Sequence, residues 1–217
     1  MRLSLLILTH NRPELFKRAI NSVLNNLPEY DIEILVNNDT GDIDEIYDDR
    51  VSIQYHYFQH DDLSCVYKYL LDLATSEFIY YLEDDDYIMR NFFSSLDLTV
   101  DINFMEYVSE PLIKDIGPYH SFKKISKNRR INHKNNAKIF IDQFDDEEFQ
   151  LGQIVFRKSL IDAFPIGNNV CNDYVLFQHI AMASSMFKYI HEQAWVQTTD
   201  GQDNISFPDL NTDERFC

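Results

Sequence analysis

A chain of 217 residues with 45% hydrophobic and 14% aromatic content can fill one domain-sized core, and its formal charge of −17 argues against general affinity for nucleic-acid phosphates. No stretch approaches the roughly 18–20 uninterrupted apolar residues needed to span a bilayer. The apolar start is short and stops at Thr9-His10-Asn11-Arg12-Pro13 without a small-residue cleavage site, so a buried strand is expected rather than a signal peptide.

The first half alternates strand and helix. Leu3–Thr9 is a continuous apolar run, as a parallel strand buried on both faces requires. Pro13 suits a first helical position, and Leu15, Phe16, Ala19, Ile20, Val23, Leu24 and Leu27 follow at helical spacing. Residues 32–36 form a second buried strand that ends in Asn37-Asn38-Asp39-Thr40-Gly41-Asp42. Residues 51–57 alternate as a third strand, 63–74 read as a helix, and 78–82 form a fourth strand ending in Glu83-Asp84-Asp85-Asp86. Such a βαβ succession predicts a mainly parallel sheet with helices on both faces. The second half is less regular: a strand at 104–108, a loop at 116–135, a short helix at 137–144, a strand at 151–156, a helix at 173–184 and a last strand at 187–197. Cys65, Cys171 and Cys217 are far apart and lack zinc-ligand spacing, which reads as free thiols in a reducing cytoplasm.

In open α/β sheets, ligands bind beyond the carboxyl ends of the strands. Three such ends carry polar clusters: Thr9 to Arg12, Asn37 to Asp42, and Glu83 to Asp86. Five glycines in the whole chain leave no GxGxxG or Walker sequence. A pyrophosphate in this crevice would need another source of positive charge, and a divalent metal held by the acidic run is the obvious one.

At these segments the chain resembles glycosyltransferase family 2, an inverting family with the GT-A fold. Leu8-Thr9-His10-Asn11-Arg12 with Ala19-Ile20-Asn21-Ser22-Val23-Leu24 is similar to its first strand and helix. Glu33-Ile34-Leu35-Val36-Asn37-Asn38-Asp39 is similar to its second strand and acidic turn, and the run from Ala74 to Asp86 resembles its "A.geyi.fLDxDD" segment. Asn172-Asp173-Tyr174-Val175-Leu176 resembles its "EDyeL". The resemblance implies one GT-A domain over 1–217, with a nucleotide-sugar half at 1–100 and an acceptor half at 101–217. It implies a donor site of Thr9, Asn11, Arg12, Asp39, Lys68, Glu83 and Asp84 for a nucleotide-diphosphate sugar, most commonly a UDP-sugar. Asp85, with Glu83, would hold Mn²⁺ or Mg²⁺, and Asp173 would be the general base of a single inverting transfer.

Departures from the family pattern bear on these roles. Glu83 stands where an Asp is usual, the run of four acids leaves the ligand register open to Asp84 and Asp86, and Asn172 replaces a Glu before the expected base. Tyr67-Lys68 stands where many relatives carry Arg-Asn, and Lys68 would then supply charge to the diphosphate. The QxxRW motif of processive synthases is absent, which favours one sugar per event. Plainer readings remain beside each role: an acidic run is often a solvated turn, Asp39 an Asx turn and Asp173 a helix cap.

Between residues 116 and 141 there is no acidic residue but seven basic ones, leaving 12 basic against 36 acidic residues elsewhere (19 − 7 = 12). This stretch is either a surface loop or the wall of a site for an anionic acceptor, with Lys123, Lys124, Arg129, Arg130 and Gln153 as candidate acceptor-binding residues. Hydroxymethylated DNA, as in bacteriophages that glycosylate their own genome, is the leading acceptor on this reading. A cell-surface glycan or lipid-linked saccharide is the competing class, and a catalytically inactive nucleotide-sugar-binding module is the non-enzymatic alternative.

Overall fold

The computed structural model describes residues 3–110, 151–161 and 172–198, and within them sets aside the side chains at 106–110, 172–175, 178, 191–193 and 197. Alternation along the first strand decides where the helices go. In β1 (Leu3–Thr9), Leu3, Leu5 and Ile7 point to one face and Leu6 to the other, all buried. Both faces therefore need a covering layer.

The layers come from helices with one apolar stripe each. In α1 (Pro13–Leu24), Pro13 lacks an N–H that would be unpaired there anyway, and Phe16, Ala19, Ile20, Val23 and Leu24 pack on the Leu3/Leu5/Ile7 face. The second helix, α2 (Leu63–Leu73), covers the opposite face with Tyr67, Leu70 and Leu71 against Leu6. Its start is fixed by Asp62, whose carboxylate accepts from the Ser64 amide at 2.9 Å and the Ser64 hydroxyl at 2.6 Å.

The remaining strands are β2 (Ile32–Asn38), β3 (Ser52–His56), β4 (Phe78–Glu83), β5 (Tyr87–Ile88), β6 (Ile102–Glu110), β7 (Ile154–Arg157) and β8 (Phe187–Thr198). They form one sheet in the order β3-β2-β1-β4-β7-β6-β8-β5. The first four strands are parallel, β7 runs antiparallel between β4 and β6, and β5 pairs antiparallel with β8. A four-residue helix, α3 (Phe92–Ser95), joins the α1 face, while α4 (Asn172–Ala183) places Leu176, Phe177, Ile180 and Ala181 on the α2 face. A mixed, mainly parallel sheet covered on both faces is the expected class.

Three local expectations change. The strand expected over 151–156 begins instead as a 3-10 turn, Leu151–Gln153, in which Gly152 lies under the Trp195 indole; a Cβ there would come within 2.6 Å of it. Both β5 and α3 were not anticipated. The loop expected at 116–135 and the helix at 137–144 lie outside the described residues.

The topology locates a crevice before any side chain is considered. From β1 the chain crosses by α1 to β2 on one side, whereas β4, reached through α2 on the other face, lies on the opposite side of β1. Connections thus diverge between β1 and β4, and it is beyond the carboxyl ends at such a switch point that open α/β sheets bind their ligands.

Candidate functional site

Thr9 ends β1 in a buried position, and the chain then turns sharply: Asn11 adopts the left-handed φ of 53°, which asparagine tolerates better than most residues. Its amide donates to the Thr40 hydroxyl at 3.3 Å, tying the β1 end to the loop after β2. The turn throws Arg12 across the switch point. Its guanidinium meets Asp84 at 3.0 Å and Asp85 at 3.3 Å, and the His10 amide donates to Asp84 at 3.4 Å. Burial pushes the Asp84 carboxyl up, against the opposing pull of the Arg12 charge. Asp84 thus belongs with the β1 end and holds Arg12 in place.

The other acids of the run point to a shared spot. Oxygens of Glu83, Asp85 and Asp86 lie within 4.8 Å of one another. Asp86 is 1% exposed; its Oδ1 accepts from the Thr198 amide at 2.9 Å, while its buried Oδ2 has no hydrogen-bond partner. Burial, then repulsion from Glu83 and Asp85, raises the Asp86 pKa well above the ordinary range. Three hard oxygen donors, one of them a buried orphan, fit an ion such as Mg²⁺ or Mn²⁺.

The structure brings Thr9, Asn11, Arg12, Asp39, Glu83, Asp84 and Asp85 to one end of the sheet, on the strand ends of β1, β2 and β4. Lys68 is placed differently from expectation: it faces outward on α2 and pairs with Asp72 one turn on. The residue of α2 that reaches the acids is its neighbour Tyr67, whose hydroxyl donates to Glu83 at 3.4 Å. Helical spacing carries the reason, since Tyr67 shares the buried stripe with Leu70 and Lys68 does not. Gln153 is buried against β6, its amide donating to the Met105 carbonyl at 3.3 Å. Asp173 falls in the first turn of α4, and Lys123, Lys124, Arg129 and Arg130 lie outside the described residues.

Several participants were not singled out from the sequence. His10 pairs through Nδ1 with both Asp39 oxygens at 2.9 Å. Asn37, 1% exposed, clasps the Phe58 main chain, accepting from its amide and donating to its carbonyl, each at 3.0 Å. Gln59 donates to the Asp39 carbonyl, so the segment after β3 is fastened beside Asp39. Arg18 on α1 and Thr198 at the end of β8 both donate to the Asp85 carbonyl. Nothing local in the sequence marks these ties, because each joins distant elements.

Comparison with known proteins gives the family and agrees with the fold. Residues 4–140 match the family described as Glycosyl transferase family 2. A curated relative, the GalNAc(5)-diNAcBac-PP-undecaprenol beta-1,3-glucosyltransferase of Campylobacter jejuni, is 25% identical over 225 residues, covering 94% of this chain and 67% of its own length. Among solved structures, S. aureus TarS 1-349 in complex with UDP-GlcNAc matches with a TM-score of 0.70 at 14% identity, over 95% of this chain. The mannosyltransferase PcManGT from Pyrobaculum calidifontis, in complex with GDP-Man and Mn²⁺, matches with a TM-score of 0.61 at 12% identity, over 93% of this chain. This chain spans 61% and 58% of those two chains, so the likeness covers about three-fifths of each.

Proposed function

As a member of glycosyltransferase family 2, this chain has a function that we propose to be metal-dependent transfer of one sugar from a nucleotide-diphosphate donor to an acceptor hydroxyl, with inversion. The observation that carries the reading is the convergence of Glu83, Asp85 and Asp86 within 4.8 Å at the end of β4, beside Arg12. UDP-GlcNAc and GDP-Man in the matching structures support a nucleotide-sugar donor, and the Mn²⁺ in one of them supports a divalent cation.

In this reading Thr9, Asn11 and Asp39 face the nucleoside, and Glu83, Asp85 and Asp86 hold the cation. When bound, the cation offsets the charge gathered by the departing nucleoside diphosphate. Arg12, braced by Asp84, adds a fixed positive charge at the same end of the cleft. Asp173 takes the proton of the acceptor hydroxyl as its oxygen bonds to the anomeric carbon and the bond from that carbon to the diphosphate oxygen breaks. One displacement from the far side gives the opposite anomer.

For the acceptor, the undecaprenol-linked saccharide in the name of the Campylobacter relative favours a glycan or lipid-linked saccharide. The basic stretch at 116–141 fits a pyrophosphate carrier of that kind. Hydroxymethylated DNA stays as the second reading, resting on that stretch alone. Donor hydrolysis and calorimetry separate the assigned roles. Asp85→Asn removes metal-dependent donor binding, whereas Asp173→Asn keeps binding and loses turnover by about 10²-fold or more. Full activity in either variant would refute its assignment.

A further inference from the structure

Four consecutive acids at one strand end repel one another, so the loop that carries them needs an external brace. We propose that Arg18 and Thr198 are that brace: positioning residues that hold the Asp85 carbonyl and thereby set how tightly the carboxylates of residues 83–86 take a divalent cation. The proposal rests on the metal reading above and assigns it two residues from outside the acidic run.

The geometry is a knot of three elements far apart in sequence. Arg18 Nη2, from α1, donates both to the Asp85 carbonyl and to the Thr198 hydroxyl, the latter at 3.0 Å. The Thr198 hydroxyl, at the end of β8, donates its own hydrogen bond to the same carbonyl, and the Thr198 amide donates to Asp86 Oδ1 at 2.9 Å. The Arg18 guanidinium lies over the Tyr87 ring, 5.4 Å from its centroid, which seats it against the residue that follows the acidic run.

Two donors on one carbonyl fix the plane of the Asp85–Asp86 peptide, and that plane sets the direction in which both side chains leave the backbone. The Thr198 amide engages one Asp86 oxygen, while the other, Oδ2, has no hydrogen-bond partner, and Asp86 is one of the three grouped acids Glu83, Asp85 and Asp86. Arg18 also brings a permanent positive charge beside a loop of four consecutive acids. Neither residue belongs to the carboxylate group, so both act through the loop.

Direct titration with Mn²⁺ alone, by calorimetry, tests this on the full chain. Thr198→Val removes the hydroxyl but keeps the amide and the shape, and it should weaken Mn²⁺ binding roughly 3- to 10-fold, the effect of one lost hydrogen bond. Thr198→Ser keeps the hydroxyl and should stay within about two-fold of wild type. Arg18→Met should weaken Mn²⁺ binding by at least as much, and the double variant should lose less than the product of the single losses, because both donors serve one carbonyl. Arg18→Lys, a milder change, should weaken binding in the same direction and supplies the comparison if the larger changes prevent folding. Variants that lower the melting temperature yet bind Mn²⁺ within about two-fold of wild type would show a purely structural tie and overturn the proposal. Wild-type protein that binds no Mn²⁺ overturns the metal reading itself, and this proposal with it.

Discussion

Asn37 spends both ends of its amide on one residue, and that makes its contribution measurable. Removing it in Asn37→Ala strands the Phe58 amide and carbonyl, which now pair with it at 3.0 Å each, and should cost about 2–4 kcal/mol in urea unfolding. The Phe58 ring stacks on Tyr69 with centroids 4.5 Å apart, so slack there would spread to the segment beside Asp39. Glu33 is the second buried polar tie. Its Oε1 accepts from the Ser4 hydroxyl at 2.5 Å, the Thr75 amide and hydroxyl at 2.8 Å and the Ser76 hydroxyl at 3.0 Å. Burial pushes its pKa up, but the bonds from Ser4, Thr75 and Ser76 together outweigh burial and lower it. A folded pKa below the unfolded one means the charge stabilises the fold above the unfolded value and stops doing so as pH falls through the folded one. Glu33→Gln should therefore cost about 1–2 kcal/mol at pH 7, and the gap to wild type should close below roughly pH 4 in parallel thermal melts. A gap independent of pH would mean that the carboxylate charge contributes nothing.

At the level of elements, what could be read from the sequence was whatever is written locally. Buried alternation in β1, the stripes of α1 and α2, and the polar residues that stop β1, β2 and β4 are each encoded within about a dozen neighbouring residues, so those elements and most of the proposed donor side were legible. The two-residue β5 and four-residue α3 are too short to show any period. The antiparallel insertion of β7 between β4 and β6 is a matter of pairing, which a strand's own residues do not specify. The same limit hid a close contact at the start of the 151–156 segment. Gly152 sits where any Cβ would lie 2.6–2.8 Å from the Trp195 indole, itself 1% exposed. Gly152→Ala must push that ring, so it should destabilise by about 1–3 kcal/mol and change the emission of the single tryptophan, Trp195. Wild-type stability with unchanged emission would show that the turn carries no such constraint.

Across the whole molecule, charge sets a field that the site must work against. Outside residues 116–141 the chain carries 12 basic and 36 acidic residues, and a nucleotide-sugar arrives as an anion. Arg12, Arg18 and any bound cation act within a few ångströms, whereas the surplus acids act over a Debye length of about 10 Å at 0.1 M salt. Added salt screens the distant repulsion more than the close attraction. Donor association should therefore quicken as NaCl rises from about 0.02 to 0.2 M at fixed free metal, by roughly two- to five-fold in stopped-flow binding. An acceptor held through the seven basic residues of 116–141 must respond in the opposite sense. For DNA, log K would fall with log salt by about 0.9 per phosphate contact, a loss of orders of magnitude over the same range. Two ligands of one protein would then show opposite salt slopes. A short duplex that does not bind at low salt, where such contacts are strongest, removes the nucleic-acid acceptor and leaves the saccharide reading. A donor rate that falls with salt would instead mean that the local cations, not the −17 of the whole chain, govern the approach.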